Sequence, residues 1–300
     1  MPFLSRKTAL GLGVTAAALF VVAFALLAKP AFVGVNAAPL HSIIPRPPQL
    51  ADADAKILAK RLQPLSDRHL MLGGAVAWDL QSKRSIRLKK QQAKRAEVAR
   101  RYGEIRQCCL DLRGRLRSEK RATALAEVEK LLPHLLIVYT MPPWQGTTWD
   151  FNGASDTPGQ GQIACGYFVA QILYAAGFDF RNKSTGDGRR LFPFAMLASE
   201  PAMKKLIAPQ KLKRFSDSPV KEVETWLRSQ GDGVYLVGLD QHFATLIVSD
   251  GRIWIWHAKP GHDVRFERPA DAPFFAESRY RVVGKLGPKA AQVWLDGVRL

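Results

Sequence analysis

The chain has 300 residues, 47% hydrophobic and 23% charged, a composition that excludes disorder throughout and allows one large or two modest cores. Its 44 Lys and Arg against 26 Asp and Glu give a formal net charge of +18. That charge is uneven: residues 81–121 hold fifteen basic and four acidic side chains, whereas residues 131–180 hold no Lys or Arg, which argues against a chain built throughout to bind polyanions.

In chain order, Arg6 and Lys7 precede an uncharged, Ala/Val/Leu/Phe-rich stretch from Thr8 to Ala28. It is long enough to span a bilayer, and the basic flank predicts a cytoplasmic N-terminus with everything after Lys29 exported. Residues 1–29 are therefore expected to be a signal anchor. The competing reading is a cleaved signal peptide, with small residues at Val35-Asn36-Ala37 before the cut. The first places the protein at the inner membrane facing the periplasm, the second free in the periplasm or secreted. A core helix is the plain alternative. Residues 30–50 carry Pro30, Pro39, Pro45, Pro47 and Pro48 and read as an extended linker.

Residues 51–132 read as a basic helical region, with a short helix from Ala51 to Gln63 and a turn at Gly73-Gly74. Between Ala93 and Leu132, Val98, Tyr102, Ile105, Cys109, Leu112 and Leu116 recur at alternating spacings of four and three, the seam of a helix packed on a neighbour. Cys109 in that seam reads as a buried structural thiol. The charged faces read as solvated surface, or as attractors of anionic envelope polymers and lipid head groups.

Residues 133–300 read as a second domain. A loop rich in Gly, Pro, Thr, Asn and Asp runs from Met141 to Gly161, followed by an apolar helix from Ile163 to Ala176 closed by Gly177. Residues 181–230 mix loops with short helices, one of them from Val220 to Ser229. Strands are predicted at Val234–Leu239, His242–Val248, Arg252–His257 and Tyr280–Gly284. Helices followed by an antiparallel sheet give an α+β fold.

Three cysteines exclude a disulfide framework, and no Cys/His cluster has zinc spacing, so neither metal nor cofactor is expected. Cys165 falls in the first turn of its predicted helix, where unpaired N–H groups favour a thiolate and can hold an oxyanion. Gly166 beside it leaves room for a substrate backbone. Asp250-Gly251 between two apolar runs is a two-residue hairpin signal. If it is the loop, Ser249 faces Arg252, Leu246 faces Ile255 and Ala244 faces His257. His242 then lies two residues along, on the same face, and diagonal to His257, close enough for one hydrogen bond between the rings. The apolar residues of that face are expected to receive the Cys165 helix. Nucleophile, base and orienting group would thus meet; the plain reading makes the histidines fillers of a sheet.

Trp149-Asp-Phe-Asn-Gly153, Ile163-Ala-Cys-Gly-Tyr-Phe-Val169, Leu239-Asp-Gln-His242 and Ile255-Trp-His257 resemble the ordered motifs of the NlpC-type cell-wall peptidases, a papain-like superfamily. The resemblance covers roughly residues 135–288. It implies a papain-like domain whose antiparallel sheet packs on the Cys165 helix, with Cys165 as nucleophile, His242 as base and His257 as orienting residue. An upstream aromatic, Trp149 or Trp144, would line the site; a core or lid role for Trp149 stands beside that. The sequence has Ala164 and Gly166 where many members carry the Asp and Ser that hold a free amino terminus. Residues 181–230 form a longer insertion between Cys and His than is typical, suited to a lid or a specificity surface.

The resulting expectation is an exported cysteine peptidase or amidase cutting peptide or isopeptide amides, in peptidoglycan or another envelope substrate. It would act as a Cys165 thiolate paired with protonated His242. A silent papain-like module binding an envelope polymer or partner protein, and an acyltransferase using the same site, are the alternatives. Nucleic acid is not expected as a partner: no zinc finger, RNP-like aromatic motif or phosphate loop accompanies the charge.

Overall fold

The computed structural model describes residues 88–180, 183–184 and 190–300. The predicted anchor or signal segment, the proline-rich linker and the Ala51–Gln63 helix lie outside the described residues. Among the described residues, no helix is long and apolar enough to cross a membrane.

Helix α1 spans Leu88–Leu116 and α2 spans Arg121–His134. The described part of the α1 seam, Tyr102, Ile105, Cys109, Leu112 and Leu116, is buried, as its period predicts. Pro133 removes a backbone donor near the end of α2, and the chain continues through a π-helical turn at Leu135–Thr140. After the short strands β1 (Thr148–Trp149) and β2 (Gln162–Ile163), which pair in parallel, comes α3, Cys165–Ala175.

The basic helix α1 is not solvated all round. Arg106 lies 3.6 Å above the Tyr174 ring and donates to the carbonyls of Tyr174 and Phe178, and Arg113 donates to the Gly177 carbonyl at 3.0 Å. These arginines donate to carbonyls at and just beyond the C-terminal end of α3, where a positive charge is also favoured by the helix dipole. Arg117 reaches the Leu295 carbonyl at 2.6 Å, and Arg121 forms a two-bond pair with Asp296. The helical region and the residues after 133 therefore share packing and hydrogen bonds.

The remaining elements are the two-residue strands β3 (Lys183–Ser184) and β4 (Arg190–Leu191), helix α4 (Ser199–Leu206), strand β5 (Lys213–Ser216) and helix α5 (Val220–Gln230). Then follow strands β6 (Gly233–Leu239), β7 (Phe243–Ser249), β8 (Arg252–Ala258) and β9 (Val264–Glu267). A single turn α6 (Pro273–Ala276), strand β10 (Tyr280–Lys285) and helix α7 (Pro288–Asp296) complete the chain. Six strands form one antiparallel sheet in the order β5-β10-β6-β7-β8-β9, so the molecule is α+β with an antiparallel sheet.

The β7–β8 hairpin has the predicted register: Ser249 faces Arg252, Val248 faces Ile253 and Leu246 faces Ile255. Asp250 and Gly251 both take positive φ, 51° and 69°, as the tight turn that matches strand twist requires. Every residue of β6 and β7 is buried. One face of the sheet, with Ala244, Leu246, Val248, Ile253 and Ile255, is covered by Val223 and Leu227 of α5 and Phe275 of α6.

That arrangement corrects one expectation. The face predicted to receive the Cys165 helix is occupied by α5 and α6, through Val223, Leu227 and Phe275. Helix α3 shares no residue with that cluster and packs on β7 and β8 from the other side.

Candidate active site

The His242 backbone is pinned before β7 begins. Leu239 N–H donates to the His242 carbonyl at 2.8 Å, closing the β6–β7 turn. Within that turn the Asp240 carboxylate accepts the N–H groups of Arg279 and Tyr280 at 2.8 and 3.0 Å. Phe274 of α6 packs on the imidazole, ring centroids 5.6 Å apart. Arg281, buried in β10, holds α6 in turn by donating to the Phe275 and Ala276 carbonyls.

His242 Nε2 lies 2.8 Å from His257 Nδ1, across the diagonal that the hairpin register predicts. His242 is 4% exposed and His257 is 0% exposed. His257 Nε2 in turn meets Glu267 Oε1 at 2.9 Å, and Lys259 Nζ meets both oxygens of that carboxylate at 3.0 and 3.2 Å. Glu267 and Lys259 escaped the reading of the sequence. The signal that could have found them is Lys259-Pro-Gly261, a turn between strand-like runs. It brings β9 back beside β8 with Ile255 opposite Glu267 and His257 opposite Arg265.

Cys165 is the first residue of α3, half-buried and unbridged. Ala164 precedes it as an N-cap with no side-chain hydrogen bond, and the N–H groups of Cys165 and Gly166 face the thiol itself. Beyond the Thr245–Trp256 pair the β7–β8 ladder stops, and the N–H of Phe243, next to His242, faces the Cys165 thiol. No hydrogen bond joins the thiol to an imidazole: His242 Nδ1 is buried without a partner.

Burial pushes the Cys165 thiol above the ordinary cysteine range, against the opposing pull of the Phe243, Gly166 and Cys165 N–H groups. Burial, and then the neighbouring His257, pushes His242 well below the ordinary histidine range. His257 is also lowered by burial, with the Glu267 hydrogen bond and charge working the other way. For Glu267, burial raises the carboxyl, and the hydrogen bonds from His257 and Lys259 outweigh it and hold it below the usual range. Burial thus favours the neutral form of the Cys165 thiol and of the His242 imidazole. This corrects the expectation of a preformed thiolate and imidazolium: removal from water costs both charges more than the helix terminus returns.

The three residues proposed to line the site fare differently. Trp144 is fully buried and donates its indole N–H to the Tyr102 hydroxyl at 2.6 Å, so it offers no surface to a substrate. At Gly166 the space that a side chain would fill is taken by this same chain. A Cβ there would stand 2.5 Å from the Ala195 carbonyl oxygen, so glycine admits the Pro193–Met196 turn of this same chain. Trp149 stays beside the site, paired with Ile163 two residues before the thiol, and its buried indole N–H has no partner.

Two loops flank the thiol. Ala164 N–H donates to the Gly153 carbonyl at 2.8 Å, which ties the loop carrying Phe151 to the residue before Cys165; the Ala195 contact ties the turn carrying Met196 to the residue after it. On these two loops Phe151 is 77% and Met196 74% exposed. Among the described residues no cluster of His, Cys, Asp and Glu is arranged to hold a metal ion.

No protein-family model, curated protein or solved structure matches the chain.

Proposed function

We propose that the protein is a thiol hydrolase of amide bonds, with Cys165 as nucleophile, His242 as base and His257 as the residue that orients it. The observation that carries this reading is the unpartnered Nδ1 of His242, at the end of a buried hydrogen-bonded chain and next to the residue whose N–H meets the thiol. A buried polar atom without a partner is costly in a merely structural role.

With both groups neutral at rest, the reaction runs by general-base catalysis. Sγ attacks the amide carbonyl, its proton passes to Nδ1 of His242, and the C–S bond forms as the carbonyl π pair moves to oxygen. The Cys165 and Gly166 N–H groups at the start of α3 are placed to receive that oxyanion. Nδ1 then gives its proton to the leaving nitrogen as the C–N bond breaks. Water, deprotonated by the same nitrogen, releases the acyl group and restores the thiol. The absence of a thiol–imidazole hydrogen bond at rest is compatible with this, since such bonds often tighten only with substrate in place.

The substrate class follows from the motif resemblance: peptide or isopeptide amides of the cell envelope, peptidoglycan first, met by an exported protein whose residues 1–29 anchor or direct it. The test is digestion of purified peptidoglycan by the full chain and by Cys165→Ala, with fragment masses compared. New fragments from the wild type alone support the reading. Identical masses remove the peptidoglycan assignment. Failure of an activated ester to acylate Cys165 would remove the hydrolytic one.

A further inference from the structure

We infer that the Glu267 carboxylate is a positioning group that sets the proton arrangement of both histidines and thereby leaves Nδ1 of His242 as the free base. This rests on the hydrolase reading above. The argument is one of donors and acceptors. An ionised carboxylate only accepts, so His257 Nε2, 2.9 Å away, must carry the hydrogen. A neutral His257 then has its lone pair on Nδ1, which must accept the hydrogen of His242 Nε2 at 2.8 Å. A neutral His242 is left with its lone pair on Nδ1, the one nitrogen of the pair that has no partner.

The opposite arrangement is excluded locally. It sets the His257 Nε2 lone pair against a carboxylate oxygen and leaves a buried N–H on His242 Nδ1 with nothing to accept it. Lys259 completes the device by binding both Glu267 oxygens, which keeps the carboxylate ionised and acceptor-only. Arg265, across from His257 on β9, is paired with Asp263 at 2.8 Å, and Phe274 packs against His242 without a charge. The relay thus runs from the sheet edge inward: ammonium, carboxylate, imidazole, imidazole, lone pair.

Glu267→Gln tests this. The amide matches the carboxylate in shape but meets His257 with either an acceptor or a donor, so the constraint is lost. In the full-length chain labelled with 15N-histidine, wild type should show hydrogen on Nε2 and none on Nδ1 in both residues. In Glu267→Gln, protonated His242 Nδ1 should appear, and kcat should fall by about 10–100-fold with KM little changed. Against a His257→Asn background, whose amide oxygen takes the place of Nδ1, the same substitution should change kcat by less than about twofold, because coupling through His257 is gone. Lys259→Met, as a second variant, should move the pH at which the altered tautomers appear upward. Unchanged tautomers in Glu267→Gln, or a kcat loss that persists undiminished in the Asn background, overturns the inference. A tautomer shift in a protein with no measurable turnover would instead keep this inference and remove the hydrolase.

Discussion

Substitution at His257 separates the orienting role from simple core filling. The ring is wholly buried and makes one bond on each side, 2.8 Å to His242 Nε2 and 2.9 Å to Glu267 Oε1. His257→Leu removes both. It strands a buried N–H on His242, at about 1–3 kcal/mol, and takes from Glu267 a charged hydrogen bond of about 1.5–3 kcal/mol, so the stability loss should be about 3–5 kcal/mol. His257→Asn puts an amide oxygen near the Nδ1 position and keeps the first bond; His257→Gln puts an amide N–H near the Nε2 position and keeps the second. Both should lose about 1–3 kcal/mol, and urea denaturation measures each. Turnover on a chromogenic amide should divide them differently. Asn should stay within about tenfold of wild type, whereas Gln and Leu should lose about 10²–10⁴-fold, the usual worth of a positioned general base. Equal activity of folded Asn and Gln variants would refute the claim that His257 acts by orienting His242.

Three further outcomes follow from burial and close contact. Free cysteine is about 3% thiolate at pH 7, and Cys165, held above the ordinary range by burial, should alkylate with iodoacetamide more slowly than a free thiol, its rate still climbing above pH 8.5. A fast plateau extending below pH 6 would instead mean a preformed ion pair. His134, His242 and His257 are all lowered by burial, so the unfolded chain binds more protons below its ordinary histidine value of about 6.5. Stability should be full above that pH and fall as pH drops through the depressed folded values; a urea midpoint unchanged from pH 7 to 5 would contradict this. Gly166→Ala drives a methyl to 2.5 Å from the Ala195 carbonyl oxygen and should cost about 1–3 kcal/mol, with a loss below about 0.5 kcal/mol showing that the turn yields freely.

The hairpin was the most legible part of the molecule, because a two-residue Asp-Gly turn leaves only one register and the strand period then fixes which residues share a face. That alone placed His242 beside His257. The α1 seam was legible for the same kind of reason, its spacing matching one helical face. What the chain did not reveal depends on elements far apart in sequence. Strand β5 is Lys-Arg-Phe-Ser, with one buried side chain, and becomes a strand only because β10 offers it an edge. The Ala195 carbonyl that fills the space beside Gly166 arrives from 29 residues away, and no local pattern announces it.

The protonation state of the site was the deepest loss, and its cause is instructive. Helix N-terminus, cysteine and histidine are each visible as letters, and together they suggest a charged pair. Whether charge is tolerated depends on how much water remains, which is a property of the packed sheet and of Phe274 lying over the ring. In this structure burial dominates at both His242 and Cys165, while Glu267 and Lys259 sit two and three hydrogen bonds away from His242, where each neutralises the other. Charge is thus kept away from the reacting atoms but close enough to bias the proton between two imidazoles. On the hydrolase proposal, charge separation would develop only during attack, when the oxyanion and the imidazolium form together and first-turn N–H groups and the Glu267 relay would stabilise one each.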